Sequence, residues 1–183
     1  DLSCIETITG YLEIESSTAP SIDLSGLLSV TEEIYIHENE ELASVDMSSL
    51  QTASSYITIS SNDDLASIDL SSLETIDDQL YISSNGDLET LELDSLETVG
   101  SSIQFYSSSS LDEISMPSLT DVEGSIYFYY QDSPYLVSAP LLETVEGSVY
   151  FYDNSGIEEV YFDSLLDVGS QVYFYDNSSL ETV

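Results

Sequence analysis

One small motif recurs along this chain, a pair of apolar residues separated by a single residue. The pairs are Leu12/Ile14, Ile34/Ile36, Ile57/Ile59, Leu80/Ile82, Ile103/Phe105, Ile126/Phe128, Val149/Phe151 and Val172/Phe174. Their first members are 22 residues apart once and 23 apart six times. A period this constant means one supersecondary unit used again and again, and such units bury their apolar stripes by stacking on one another. Taking the first residue of each pair as position 0, further apolar residues fall at positions 8, 11, 13, 16 and 19. Examples are Leu65, Ile68, Leu70, Leu73 and Ile76, then Leu88, Leu91, Leu93, Leu96 and Val99. Pro134 at position 8 is one departure.

Within each short segment the apolar period is two, the signature of a strand, and helical spacing is never sustained. Ser, Asn, Asp and Gly separate the segments. Each repeat therefore predicts two or three short strands joined by turns. The expected fold is all-β, a parallel β-solenoid of about eight 23-residue rungs in a single domain spanning 1–183. At about 4.8 Å per rung the rod is about 38 Å long.

Stacking turns each repeat position into a column. Position 2 is Ile in the first four rungs and Phe in the last four (Phe105, Phe128, Phe151, Phe174), a buried aromatic stack. Positions 1 and 3 point outward, since side chains alternate across a strand. They carry Tyr127/Tyr129, Tyr150/Tyr152 and Tyr173/Tyr175, with Tyr106 before them and Tyr35 and Tyr81 further back. This double column reads as β-propensity with cross-strand aromatic pairing, or as a contact face for proteins or sugars. Position 5 carries Asn39, Asn62, Asn85, Asn154 and Asn177, with Ser108 and Gln131 between, a ladder of amides able to bond the copies above and below. Gly10, Gly124 and Gly147, with Gly100 and Gly169 one residue earlier in their rungs, mark the turn into the tyrosine strand.

Composition narrows the function. The chain has 36 acidic residues, one histidine and no lysine or arginine, a formal net charge of −36. Average usage would supply on the order of 20 basic residues. Without them a nucleic-acid or phosphate-binding surface is excluded, because counterion release needs Lys or Arg. No run of 18 apolar residues is present, so no transmembrane helix is expected. The hydrophobic fraction of 42% excludes an acidic disordered tail. The lone Cys4 supplies no internal disulfide, and trypsin has no site; together with the charge this points to the cell surface or the extracellular space.

Asp1, Asp23, Asp46, Asp69 and Glu92 share position 12, an acidic column in the first half. Neighbouring charges about 4.8 Å apart in water repel by roughly 0.9 kcal/mol, so diffuse Ca²⁺ is the expected relief, with Asp23, Asp46, Asp69 and Glu92 as its ligands. Catalysis is not expected. His37 is expected as a surface residue, with no cysteine or second histidine beside it for a metal site. One histidine admits no persuasive nucleophile triad, and no carboxyl pair reads as an acid beside an ionised partner. Asn177-Ser178-Ser179 is an N-glycosylation sequon.

The stretch Cys4-Ile5-Glu6-Thr7-Ile8-Thr9-Gly10-Tyr11-Leu12-Glu13-Ile14 resembles the opening of a receptor L-domain. Met116-Pro117-Ser118-Leu119-Thr120-Asp121-Val122-Glu123-Gly124-Ser125-Ile126-Tyr127-Phe128 resembles the fungal Sps2-like cell-wall branch of that family. The resemblance implies a right-handed, leucine-rich-repeat-like solenoid displayed on cell surfaces. A structural or adhesive role follows as the expectation, with a ligand-recognising L-domain that takes peptide or glycan on its tyrosine face as the alternative. The count of residues adds one more expectation. Asp1 falls at position 12 and Val183 at position 11, so the solenoid is expected to continue past both ends, as a longer array or as head-to-tail copies that Cys4 could staple.

Overall fold

The computed structural model describes residues 2–183 and contains strands, turns and bends with no helix among them. Accordingly no helix is long and apolar enough to cross a membrane. The four-residue strands Leu12–Glu15, Ile34–His37, Ile57–Ser60, Leu80–Ser83, Ile103–Tyr106, Ile126–Tyr129, Val149–Tyr152 and Val172–Tyr175 form one eight-stranded parallel sheet. Its register is the sequence repeat itself: Leu12 pairs with Ile34, Ile34 with Ile57, and so on to Val149 with Val172. The chain is thus a parallel β-solenoid, eight strands deep on this face.

Each rung contributes to two more faces. Two-residue strands, from Thr7–Ile8 to Asp167–Val168, build a second eight-stranded sheet. Three-residue strands build the third face, which is broken in two. Ser21–Asp23, Ser44–Asp46, Ser67–Asp69 and Thr90–Glu92 form a four-stranded sheet, and Glu113–Ser115, Leu136–Ser138 and Glu159–Tyr161 a three-stranded one. Inward residues of all three faces meet along the axis in one continuous core, including Leu70, Leu73, Ile76, Ile82 and the stacked phenylalanines. Pro134, the departure at position 8, is buried like its leucine counterparts. A leucine counterpart such as Leu65 donates its N–H to the position-5 carbonyl, that of Asn62, at 3.1 Å; proline has no N–H and makes no such bond.

The third face breaks between Thr90–Glu92 and Glu113–Ser115. Position 11 is β-branched in Ile22, Val45, Ile68, Ile114, Val137 and Val160, and Leu91 stands there in the fourth rung. Elsewhere the rungs are tied by bonds such as Leu70 N–H to the Glu92 carbonyl at 3.1 Å and Met116 N–H to that of Ser138 at 2.8 Å. No equivalent bond runs from Leu93 to Ser115. Serine hydroxyls cross this junction as they do others: Ser118 Oγ donates to the Asp94 carbonyl at 2.7 Å, as Ser164 Oγ does to that of Pro140 at 2.7 Å where the third face is intact.

The corner after the long strand is made by an unexpected residue class. Ser16, Glu38, Ser61, Ser84, Ser107, Tyr130, Asp153 and Asp176, position 4 of every rung, all adopt φ between 50° and 57°. A left-handed non-glycine residue costs roughly 1–2 kcal/mol, and in the rungs that carry Asn or Gln at position 5 the amide beside it adds hydrogen bonds. Asn62 Nδ2 donates to the Ile36 carbonyl at 3.1 Å and to Asn85 Oδ1 at 3.1 Å, and its own Oδ1 accepts from the Asn39 backbone at 3.1 Å. Gly100 and Gly169, by contrast, serve close approach between rungs: a Cβ there would fall 2.3 Å from the Asp77 carbonyl oxygen and 2.0 Å from that of Glu146.

Candidate functional site

The tyrosine columns stand where the alternation places them. Tyr127, Tyr129, Tyr150 and Tyr152 are half-buried on the outer side of the long-strand sheet, while Tyr106, Tyr173 and Tyr175 are exposed. Rings of successive rungs pack against one another, Tyr127 on Tyr150 at 5.3 Å and Tyr152 on Tyr175 at 5.4 Å, both near parallel. One ring was not legible in the strand pattern. Tyr130 sits at the left-handed corner and meets Tyr106 and Tyr152 edge-on at 5.3 and 5.9 Å. It forms one wall of a shallow groove of about 510 Å³, whose other lining includes Tyr81, Gln104, Tyr129 and Tyr150. Burial, with help from the neighbouring tyrosines, raises the Tyr129 hydroxyl above the usual tyrosine value. The face therefore offers neutral hydroxyls and ring edges.

The position-12 column is also in register, Asp23 beside Asp46, Asp46 beside Asp69 and Asp69 beside Glu92; Asp1 lies outside the described residues. Its aspartates serve the turn that follows them. Asp23 accepts from the Ser25 hydroxyl at 2.7 Å, Asp46 from the Ser48 backbone at 3.0 Å, and Asp69 from the Ser71 hydroxyl at 2.7 Å. For Asp23, the hydrogen bonds from Ser25 lower the carboxyl's pKa.

Asn177, the sequon residue, belongs to the amide ladder. Its Oδ1 accepts from Asn154 Nδ2 at 2.8 Å and its Nδ2 donates to the Phe151 carbonyl at 3.0 Å. A sugar on Nδ2 would have to leave from the side facing away from Asn154. The ladder has one fault. Ser108 is too short to reach the next rung, and its Oγ is buried without a hydrogen-bond partner. That fault lies at the same rung junction as the break in the third face.

His37 corrects the expectation of a simple surface side chain. It lies on the outer side of the sheet, yet its side chain is only 13% exposed. The Tyr35 ring packs against it at 4.2 Å, and its Nε2 is buried with no hydrogen-bond partner. Glu13 and Glu15, from the neighbouring rung, converge on it. Cys4 is free and exposed.

Comparison with protein families, with characterised proteins and with solved structures gives no match for this chain.

Proposed function

We propose that this protein is a structural or adhesive β-solenoid of the cell surface or extracellular space, and that it makes contact through the tyrosine face of its last four rungs. The observation that supports this reading is the continuity of that face, where Tyr106, Tyr127, Tyr129, Tyr130, Tyr150, Tyr152, Tyr173 and Tyr175 adjoin without a charged residue among the strand positions. Tyrosine combines apolar area with a hydroxyl that donates and accepts, and it orders at low entropic cost. With −36 charges on the chain, partners are neutral or basic: neutral glycans and cell-surface proteins fit, anionic polymers do not. Diffuse Ca²⁺ along the acidic columns would screen the repulsion between molecules. The role is one of contact area and needs no catalysis.

Replacing Tyr129, Tyr152 and Tyr175 together by Ser tests the reading. The far-ultraviolet circular dichroism should be unchanged, and adhesion to immobilised neutral polysaccharide or lateral association by light scattering should weaken. Normal association by the triple variant would reduce the column to sheet stabilisation.

A second reading is end-to-end stacking of copies, in which a rung of one copy pairs with a rung of another as successive rungs pair here, in parallel and in register. Sedimentation showing a concentration-independent monomer would remove this reading.

A further inference from the structure

We propose that Glu13, Glu15 and His37 form a site for a divalent transition-metal ion, of which Zn²⁺ is the simplest representative. The register brings them together. Glu15 is the direct pairing partner of His37, and Glu13 pairs with Tyr35 two residues earlier. Leu12, Ile14, Ile34 and Ile36 point inward, so the three polar side chains share the outer side of two adjacent strands. Their ligand atoms lie within 4.8 Å of one another.

The second observation is independent of the acids. His37 Nε2 is buried and makes no hydrogen bond, and the nearest carboxylate oxygen, Glu13 Oε1, stands 3.8 Å away. Buried polar atoms are nearly always satisfied. A gap of 3.8 Å is too long for a hydrogen bond, yet an ion about 2.1 Å from each atom spans it at a ligand–metal–ligand angle of about 130°. Glu15, paired directly with His37 on the same outer side, is the third ligand. The Tyr35 ring holds the imidazole plane. No lysine or arginine exists anywhere in the chain to neutralise the carboxylates.

The imidazole sets the class of metal. The rest of the acidic surface offers oxygen ligands only, which suit Ca²⁺ and Mg²⁺. A nitrogen ligand shifts preference to Zn²⁺, Ni²⁺ and Cu²⁺, so this one place discriminates against the ions that screen the other columns. Three protein ligands on an outer face leave the remaining coordination positions to water. The proposal is independent of the tyrosine face, which begins three rungs further along.

The test is a Zn²⁺ titration of the full chain in millimolar Ca²⁺, which occupies the diffuse carboxylates. It is read by NMR of the imidazole, a single signal because His37 is the sole histidine. The expected result is saturable movement or broadening of that signal at one ion per chain. Affinity should fall roughly tenfold or more in His37→Gln and be unchanged in Cys4→Ser. Imidazole resonances that stay fixed while Zn²⁺ binds would overturn the proposal without any variant. Equal affinity of the wild type and a folded His37→Gln would overturn it too.

Discussion

The first four rungs and the last four share one backbone path and differ in what fills it. In the first half the core strand presents Ile14, Ile36, Ile59 and Ile82, the corner is tied by Asn39, Asn62 and Asn85, and an aspartate column runs along the third face. In the second half the same strand position holds Phe105, Phe128, Phe151 and Phe174, stacked at 5.3, 4.7 and 4.7 Å within 18° of parallel. There the outer side is tyrosine, and the amide ladder restarts only at Gln131. The junction carries both defects, the orphaned Ser108 hydroxyl and the unpaired third face. A solenoid, being stabilised by neighbour contacts, tolerates such a change of filling because each rung need match only the next. The lesson is that hydrogen-bonded amides tie the corner in both halves, and the second half adds stacked rings to them.

The sharpest way to break this contrast is to remove a ring. Phe128→Ala should cost about 3–5 kcal/mol, because Phe105 and Phe151 lose their shared partner. Hydrogen exchange should rise in 103–175 more than in 12–60. Equal loosening of both halves would contradict the neighbour-only picture.

Next in size is the amide ladder. Asn62→Ala removes the acceptor of the Asn39 backbone N–H and Nδ2 and a donor to the Ile36 carbonyl, and a buried donor left unmet costs about 1–3 kcal/mol. Chemical denaturation should show a loss of about 2–4 kcal/mol on that basis. A loss below 1 kcal/mol would mean that water replaces the amide.

A gain is expected at the junction. Ser108→Asn should restore a donor and acceptor between Asn85 and Gln131, stabilising the chain by roughly 0.5–1.5 kcal/mol. Amide exchange at the corner around 85 and 108 should slow. If the third face also closes, exchange near Leu93 slows with it; if exchange there is unchanged, the two defects are independent.

The smallest effect is on pH dependence. Tyr129 is held above its usual value by burial, so on unfolding it becomes the stronger acid. Its contribution is complete below about pH 10 and fades as pH rises through the shifted value. Asp121 is lowered by hydrogen bonds from the hydroxyls of Thr144 and Thr120. Its contribution is present above the usual aspartate value and is lost as pH falls through the shifted one. Thermal melts in molar salt, which screens the general repulsion, should therefore decline above pH 10 by less in Tyr129→Phe than in the wild type. An identical alkaline decline would place the titrating groups elsewhere.

Much of this was written in the residue order. The period of 22 or 23, the alternation around Ile57 and Ile59, and the columns of Phe, Tyr and Asn require parallel strands in one register, since any slip of one residue would turn Phe128 outward and Tyr127 inward. The acidic column and its register were legible for the same reason. What the order of residues does not carry is geometry between rungs. The left-handed corner falls on Ser, Glu, Tyr and Asp alike, and it forms whether an amide or, after Ser16 and Ser107, a serine follows it, so no residue type announces it. The break after the fourth rung shows only in the stacked sheets, and the wall made by Tyr130 depends on the direction of that corner. The buried Nε2 of His37 depends on where Tyr35 and Glu13 lie in the assembled sheet. Periodicity reports which residues share a column, because stacking repeats every rung. Distances of a few ångströms between side chains more than 20 residues apart are decided only when the rungs have stacked.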